Sequence, residues 1–265
     1  MEHVVVGLTD EATARVGVTW AMGRARTRPL AIRLVAELDD GGSNPGAAKE
    51  VLATATRQIA EALPGTEVDY VLADRPLLHE LLEQSESADL IVFAAHPDPV
   101  MREGRTPSFQ VSLGARARCP VVVVPSDWEE HGGPIVVGVE SENASDKAVA
   151  FAAGEALAGD RELRIVHSWE PWTSLTTRSA QVEHGDIINV AADRIRADFP
   201  GVRLSAVLAE AVAHDGIIAN SRDAHLIVLG THGLGRETGL VLGAIHQEVM
   251  IRGSVPLCIV PLESA

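Results

Sequence analysis

Two stretches of this chain repeat each other at one constant spacing. Ser87–Val92 reads SADLIV and Asp223–Val228 reads DAHLIV, while Cys119–Pro125 reads CPVVVVP and Val255–Pro261 reads VPLCIVP. Aligning the leucines of the first pair and the prolines of the second gives the same offset, 136 residues. The starts agree as well: Glu2–Gly7 is EHVVVG and Gly133–Gly138 is GPIVVG, each a β-branched run closed by glycine and followed by a polar turn. Two copies of one fold of about 130 residues therefore fill the 265-residue chain, within the usual ~100–200 residues per domain. The junction falls at Ser126–Pro134, SDWEEHGGP, which has the polar and Gly/Pro character of a linker. The boundaries expected are 1–127 and 134–265.

Within each copy, strand and helix patterns alternate. The second copy reads as strands at Pro134–Val139, Glu162–Ser168, Arg203–Leu208, Leu226–Leu229 and Leu257–Val260. Helical segments lie between them at Ser145–Leu157, Val182–Phe199, Ala211–Arg222 and Gly243–Arg252. The first copy reads as strands near Val4–Leu8, Ala31–Leu38, Glu67–Leu72, Ala88–Phe93 and Val121–Val124, with helices at Glu11–Arg26 and Pro45–Leu63. Runs such as IVVGV and LIVLG are apolar throughout, as strands covered on both faces should be. Alternating βα units of this kind predict an α/β fold, a doubly wound parallel sheet in each half.

Composition narrows the function classes. With 46% hydrophobic and 22% charged residues the chain has enough apolar mass for a packed core, and at 3% aromatics that core is Val, Ala, Leu and Ile. Twenty-two Lys and Arg against 37 Asp and Glu leave a net charge of −15. That sign argues against nucleic acid and against an anionic membrane surface as partners. A small anion held by backbone N–H groups is still compatible with it. Cys119 and Cys258 each sit in an apolar run and read as small buried hydrophobes. The N-terminus, MEHVVVGLTDEA, does not read as a signal peptide, and no apolar run approaches the ~18 residues of a membrane span. A cytoplasmic location is the expectation.

In open α/β sheets ligands bind beyond the carboxyl ends of the strands, where the strand order reverses. The loop there in the second copy is informative. After Leu226–Leu229 come Gly230, Thr231, His232 and Gly233, then nine residues, then Gly243, Ala244, Ile245 and His246 opening a helix. Glycines let backbone N–H groups approach phosphate oxygens, and a helix N-terminus adds unpaired donors and the positive end of its dipole. The same glycines serve equally well as plain turn formers, and spacing alone does not separate the two.

This G-x-x-G, nine residues, then G pattern, between a fourth strand and a fourth helix, resembles the nucleotide motif of the universal stress protein family. The VPLCIVP and CPVVVVP strands and the starts IVVGVESENAS and VVVGLTDEA resemble that family too, so the likeness spans the chain as a tandem pair. The resemblance implies five-stranded parallel sheets of order 3-2-1-4-5 and, in many members, ATP binding. It also implies that the fifth strands pair as in a dimer, relating the halves by a pseudo-twofold axis. Carried over residue by residue, it assigns Gly230, Gly233 and Gly243 to the phosphates. Ala244 stands where the family has Ser or Thr, so a hydroxyl donor is missing. His246 takes another position where a hydroxyl is common, and its imidazole either donates to phosphate or faces solvent. Glu140, after Val139, replaces the Asp that lies beside adenosine. The cofactor implied is ATP, ADP or AMP, with or without Mg.

The first copy departs further. At the offset positions of the three glycines stand Ala94, Pro97 and Pro107, and proline has no N–H to offer. Thr9 takes the acidic position, and Ser108 keeps the hydroxyl but not the loop. This half reads as structural, with Arg102 and Arg105 as the residues that would draw a different anion. His232 reads equally as a pocket residue or an exposed turn histidine. Arg236 and Arg252 are candidates for offsetting phosphate charge, and Trp169 and Trp172 for covering an adenine, against plain solvation and packing. His79-Glu80-Leu81-Leu82-Glu83 lacks the second His of a zinc-protease motif, and ten histidines show no metal-ligand spacing. No catalytic lysine, base or metal pair is visible, so no enzyme beyond a weak ATPase is expected. The leading reading is an adenine-nucleotide module of a stress response, with an unknown protein partner and a homodimer compatible. The alternative is a nucleotide-free scaffold for protein interaction.

Overall fold

The computed structural model describes residues 1–38, 45–95, 101–102, 106–140, 146–170, 177–231 and 242–261. The chain forms two compact units, the first built on Met1–Glu130 and the second on His131–Leu234 with Gly243–Ala265. In the first, β1 (Glu2–Leu8), α1 (Glu11–Ala25), β2 (Leu30–Glu37), α2 (Pro45–Ala62), β3 (Glu67–Ala73), α3 (Leu77–Gln84) and β4 (Leu90–Ala95) follow in turn. Then come β5 (Met101–Arg102), β6 (Thr106–Pro107), α4 (Phe109–Arg116) and β7 (Val121–Pro125). Five of these strands make a parallel sheet in the order β3-β2-β1-β4-β7, which is 3-2-1-4-5 counted along the main strands.

The second unit repeats the plan: β8 (Ile135–Gly138), α5 (Asp146–Ala158), β9 (Glu162–Trp169), α6 (Thr177–Asp198), β10 (Arg203–Glu210), α7 (Ala213–Ala219), β11 (Leu226–Gly230), α8 (Ala244–Arg252) and β12 (Leu257–Val260). Its parallel sheet runs β10-β9-β8-β11-β12. Burial explains the apolar runs. Val4, Leu90, Ile91, Leu226 and Val228 are fully enclosed, as central strands covered by helices on both faces must be. Each such Leu or Ile removed from water contributes about 1.5–3 kcal/mol. Cys119 and Cys258 are buried and unbridged, and burial pushes the Cys119 thiol up to about 12, so it stays protonated.

The structure differs from the sequence expectation at several boundaries. The run read as Ala211–Arg222 is helical only over Ala213–Ala219, because Val212 is extended and the Asn220 side-chain amide turns back to donate to the Gly216 carbonyl at 2.8 Å. The long helix expected from Val182 begins at Thr177; its first turns lack the apolar periodicity that marks a helix from sequence. In the first unit α3 and α4 are short helices that no expectation named, and β5 pairs with β6 as a small antiparallel ribbon.

Ser126–Pro134 has the composition of a linker, yet it is docked. Trp128 is buried, and the Glu130 carboxylate pairs with Arg26 at 3.0 Å. From His131 onward the chain lies against the second unit, where a ring nitrogen of His131 hydrogen-bonds the Ala224 carbonyl at 3.1 Å. The His225 N–H donates to the Pro134 carbonyl at 2.9 Å. Among the described residues no helix is long and apolar enough to cross a membrane.

Candidate functional site

Strand order reverses between β8 and β11, so the crevice of the second unit opens at their carboxyl ends. Val139 and Glu140 follow β8, with Val139 buried and Glu140 exposed. Gly230 closes β11 and is buried; the Thr231 N–H then bonds the Val260 carbonyl at 2.9 Å, which fixes the direction in which the chain leaves the sheet. Gly243 is the N-cap of α8, extended at φ −57° and ψ 153°, and has no side chain with which to cap the helix. The first-turn amides of Ala244 and Ile245 have no carbonyl of their own helix to bond. Ala244 is exposed and Ile245 half-buried. His232 and Gly233, with Pro97, Arg105, Arg236 and Trp172, lie outside the described residues.

Two expectations change here. Neither Gly230 nor Gly243 needs glycine for its backbone angles, and a Cβ would meet Ala148 at 3.5 Å in the one and the His246 ring at 3.6 Å in the other, both ordinary contacts. What Gly243 contributes is the absence of a capping side chain of its own. His246 does not face solvent: its ring is buried, beside Gly243 at the start of the helix. Arg252 lies at the other end of the helix. It sits in the last turn of α8, nine residues and about 13 Å from Gly243, and pairs with Asp215 at 2.7 Å.

The first unit differs at the corresponding positions. Ala94 is buried in β4, and the rings of Phe93 and Phe109 pack at a centroid distance of 4.5 Å across the end of β4 and the start of α4. Asp10 caps α1, its carboxylate accepting from the Ala12 and Thr13 N–H groups at 2.9 and 3.0 Å. The Thr9 hydroxyl is engaged with that of Thr13 at 2.8 Å. Ser108 is buried at the N-cap of α4, with no side-chain capping bond. Glu80, of the rejected protease pattern, has a structural use. Burial alone would push its carboxyl up, but hydrogen bonds from Gln84 and Arg75 outweigh that and hold it below the usual carboxylate range.

Sequence reasoning missed a histidine pair in the second unit. His167, on β9, is buried, with Nδ1 2.7 Å from the Val139 carbonyl and Nε2 2.8 Å from Nδ1 of His184 on α6. The Trp169 indole stacks on the His184 ring at 5.3 Å, so it packs on a side chain of its own unit. The available signal was a histidine inside the apolar run LRIVHSW, since a buried polar group requires a partner. Among the described residues no group of three or more His, Cys, Asp or Glu could hold a metal ion.

Burial pushes the His167 imidazole below its ordinary value of 6.5; the Val139 hydrogen bond opposes this, His184 adds to it and Glu140 opposes it. The folded chain thus binds that proton more weakly than the unfolded chain. His167 contributes stability that is fully present above about pH 6.5 and is lost as pH falls from there toward its folded value. Urea melts between pH 7.5 and 5 should show wild type losing stability faster than His167→Asn. Parallel curves would contradict this.

The comparisons with known proteins agree with the fold of the two units. Residues 133–261 match the model of the Universal stress protein family. A universal stress protein of Mycobacterium tuberculosis is 23% identical over 287 residues, covering 97% of this chain and 95% of that protein. Another from the same organism is 28% identical over 190 residues, 68% of this chain and 64% of that protein. The crystal structure of a universal stress protein from Archaeoglobus fulgidus superposes with a TM-score of 0.68 at 15% identity, covering 98% of this chain and 96% of the other. A Pseudomonas aeruginosa protein described as functionally unknown gives 0.70 at 18% identity, covering 98% and 92%. Repeat, sheet order and sequence likeness converge: residues 133–261 form a universal stress protein domain, and the chain is similar to universal stress proteins over nearly its whole length.

Proposed function

We propose that the second unit binds an adenine nucleotide, ATP, ADP or AMP, and that its occupancy is the signal this protein carries in a stress response. The observation that carries the reading is the N-terminus of α8, whose N-cap Gly243 makes no side-chain capping bond, following the strand at which strand order reverses. Aligned N–H groups at the positive end of a helix dipole are suited to phosphate. The residues present fit such a ligand: Gly230 and Gly243 add no side chain, and Val139 and Glu140 border the crevice from β8. A magnesium ion would arrive with the phosphates. The first unit serves as scaffold, since Ala94, Pro97 and Pro107 stand at the positions of the three glycines and proline has no N–H to offer a phosphate.

Mass spectrometry of the denatured purified protein, searched for co-purified adenine nucleotide, and isothermal titration with ATP test the reading. The missing hydroxyl at Ala244 limits affinity. Ala244 is exposed, so Ala244→Ser adds one oxygen without disturbing the core. One hydrogen bond to a charged phosphate should tighten ATP by about 10–100-fold. Absence of binding in both proteins would favour a nucleotide-free scaffold throughout. Equal tight binding would assign the donor role to another group, His246 first.

A further inference from the structure

The first unit carries a cleft that the nucleotide reading does not use. It lies between α1 and α2 and holds about 290 Å³, room for a small metabolite and little more. Small side chains open it. Ala14 of α1 and Ala55 of α2 are buried and both line it, and Val51 extends the apolar part. The polar side chains along it are Glu11, Arg15, Thr54 and Gln58.

Glu11 and Arg15 stand one turn apart on α1, in the order that favours an ion pair on a helix surface. They do not pair, and among the described residues neither side chain has another hydrogen-bond or ionic partner. Both charges are therefore left to the cleft and the water in it.

Gln58 is held in one orientation. The Thr19 hydroxyl donates to the Arg15 carbonyl at 2.7 Å, so its oxygen is left to accept. The Gln58 amide must then turn its NH2 end toward that oxygen, which it meets at 3.1 Å. The carbonyl oxygen of the same amide is a fixed acceptor at the cleft. The Thr54 hydroxyl accepts from Arg57 at 3.4 Å and keeps its own proton to donate.

The lining thus combines one cation, one anion, a fixed amide acceptor and an apolar floor. A simple anion would face Glu11, and a simple cation would face Arg15. A small molecule that carries both charges satisfies both.

We propose that the α1–α2 cleft binds a free amino acid with an aliphatic side chain. Its carboxylate meets Arg15, its ammonium meets Glu11 and the Gln58 carbonyl, and its side chain lies on Ala14, Val51 and Ala55. The site is separate from the nucleotide reading, which concerns the second unit.

NMR titration of the isotope-labelled full chain with L-leucine, N-acetyl-L-leucine and L-leucine amide tests it. Leucine should shift the backbone amides of α1 and α2 around the cleft. The two capped forms keep the side chain but only one charge each. Each should bind about tenfold more weakly, the worth of one hydrogen bond to a charged group. Arg15→Gln should bring leucine and leucine amide to the same affinity, because nothing then reads the carboxylate. Ala12 is exposed and lines the cleft, so Ala12→Phe should fill it and remove the response while the thermal melt stays as in wild type. No shift in α1 or α2 with leucine up to its solubility would overturn the proposal. Equal affinity for all three compounds would overturn the recognition of both charges. An unchanged leucine response in a well-folded Ala12→Phe would remove the ligand from this cleft.

Discussion

Gly243→Asp is expected to abolish nucleotide binding while leaving the fold as stable as before, or slightly more so. Gly243 is an N-cap without a capping side chain, and its φ of −57° suits any residue. A Cβ there meets nothing closer than the His246 ring at 3.6 Å. Aspartate would therefore fold back onto the first-turn amides of α8, as Asp10 does in α1. A capping carboxylate in place of glycine is worth a few tenths of a kcal/mol to the helix. It also occupies the donors a phosphate would use and repels it. Losing two charge-assisted hydrogen bonds at ~1.5–3 kcal/mol each implies at least a 100-fold drop in affinity. Titration with ATP and a thermal melt on the same sample separate the two effects. Unchanged affinity in a well-folded variant would remove α8 from the phosphate site.

A second large effect is expected far from that site. Gly133 has φ +152°, and a Cβ built on it would overlap the Asp223 carbonyl oxygen. The turn that leads into β11 passes directly against the backbone here, and the His131 and Pro134 hydrogen bonds hold the two segments together. Gly133→Ala adds backbone strain of ~1–3 kcal/mol and an overpacking cost of ~1–3 kcal/mol. The expected loss is about 4 kcal/mol, a large part of the stability of a domain this size. Gly132→Ala is the control, because a Cβ there meets nothing within 4 Å. Equal urea midpoints for the two variants would refute the packing argument.

The repeat and the strand order were legible because they rest on patterns that few other folds produce. Continuous apolar runs at a fixed offset demand central parallel strands, and the structure places Leu90 with Leu226, and Val121 with Leu257, in corresponding strands of the two sheets. The glycine positions were legible too, but their reason was not. From sequence, Gly243 reads as a residue required for close backbone approach; in the structure it matters for the cap it withholds. Likewise the linker composition of Ser126–Pro134 concealed a docked segment, since Gly133 looks like any loop glycine until the carbonyl it would strike is known.

The histidines make the division plainest. His167 and His184 are 17 residues apart, and nothing in that spacing relates them, because one lies on a strand and the other on the helix that crosses back over it. Periodicity reports which side of an element is apolar, and so the sequence by itself determined the repeat, the α/β class and the parallel sheets. Hydrogen-bond partners across elements depend on how strand and helix are packed to within a fraction of an ångström. Only the tertiary structure therefore decided that Val139 is held by an imidazole, that His246 is buried, and that Phe93 and Phe109 pack ring against ring in the first unit.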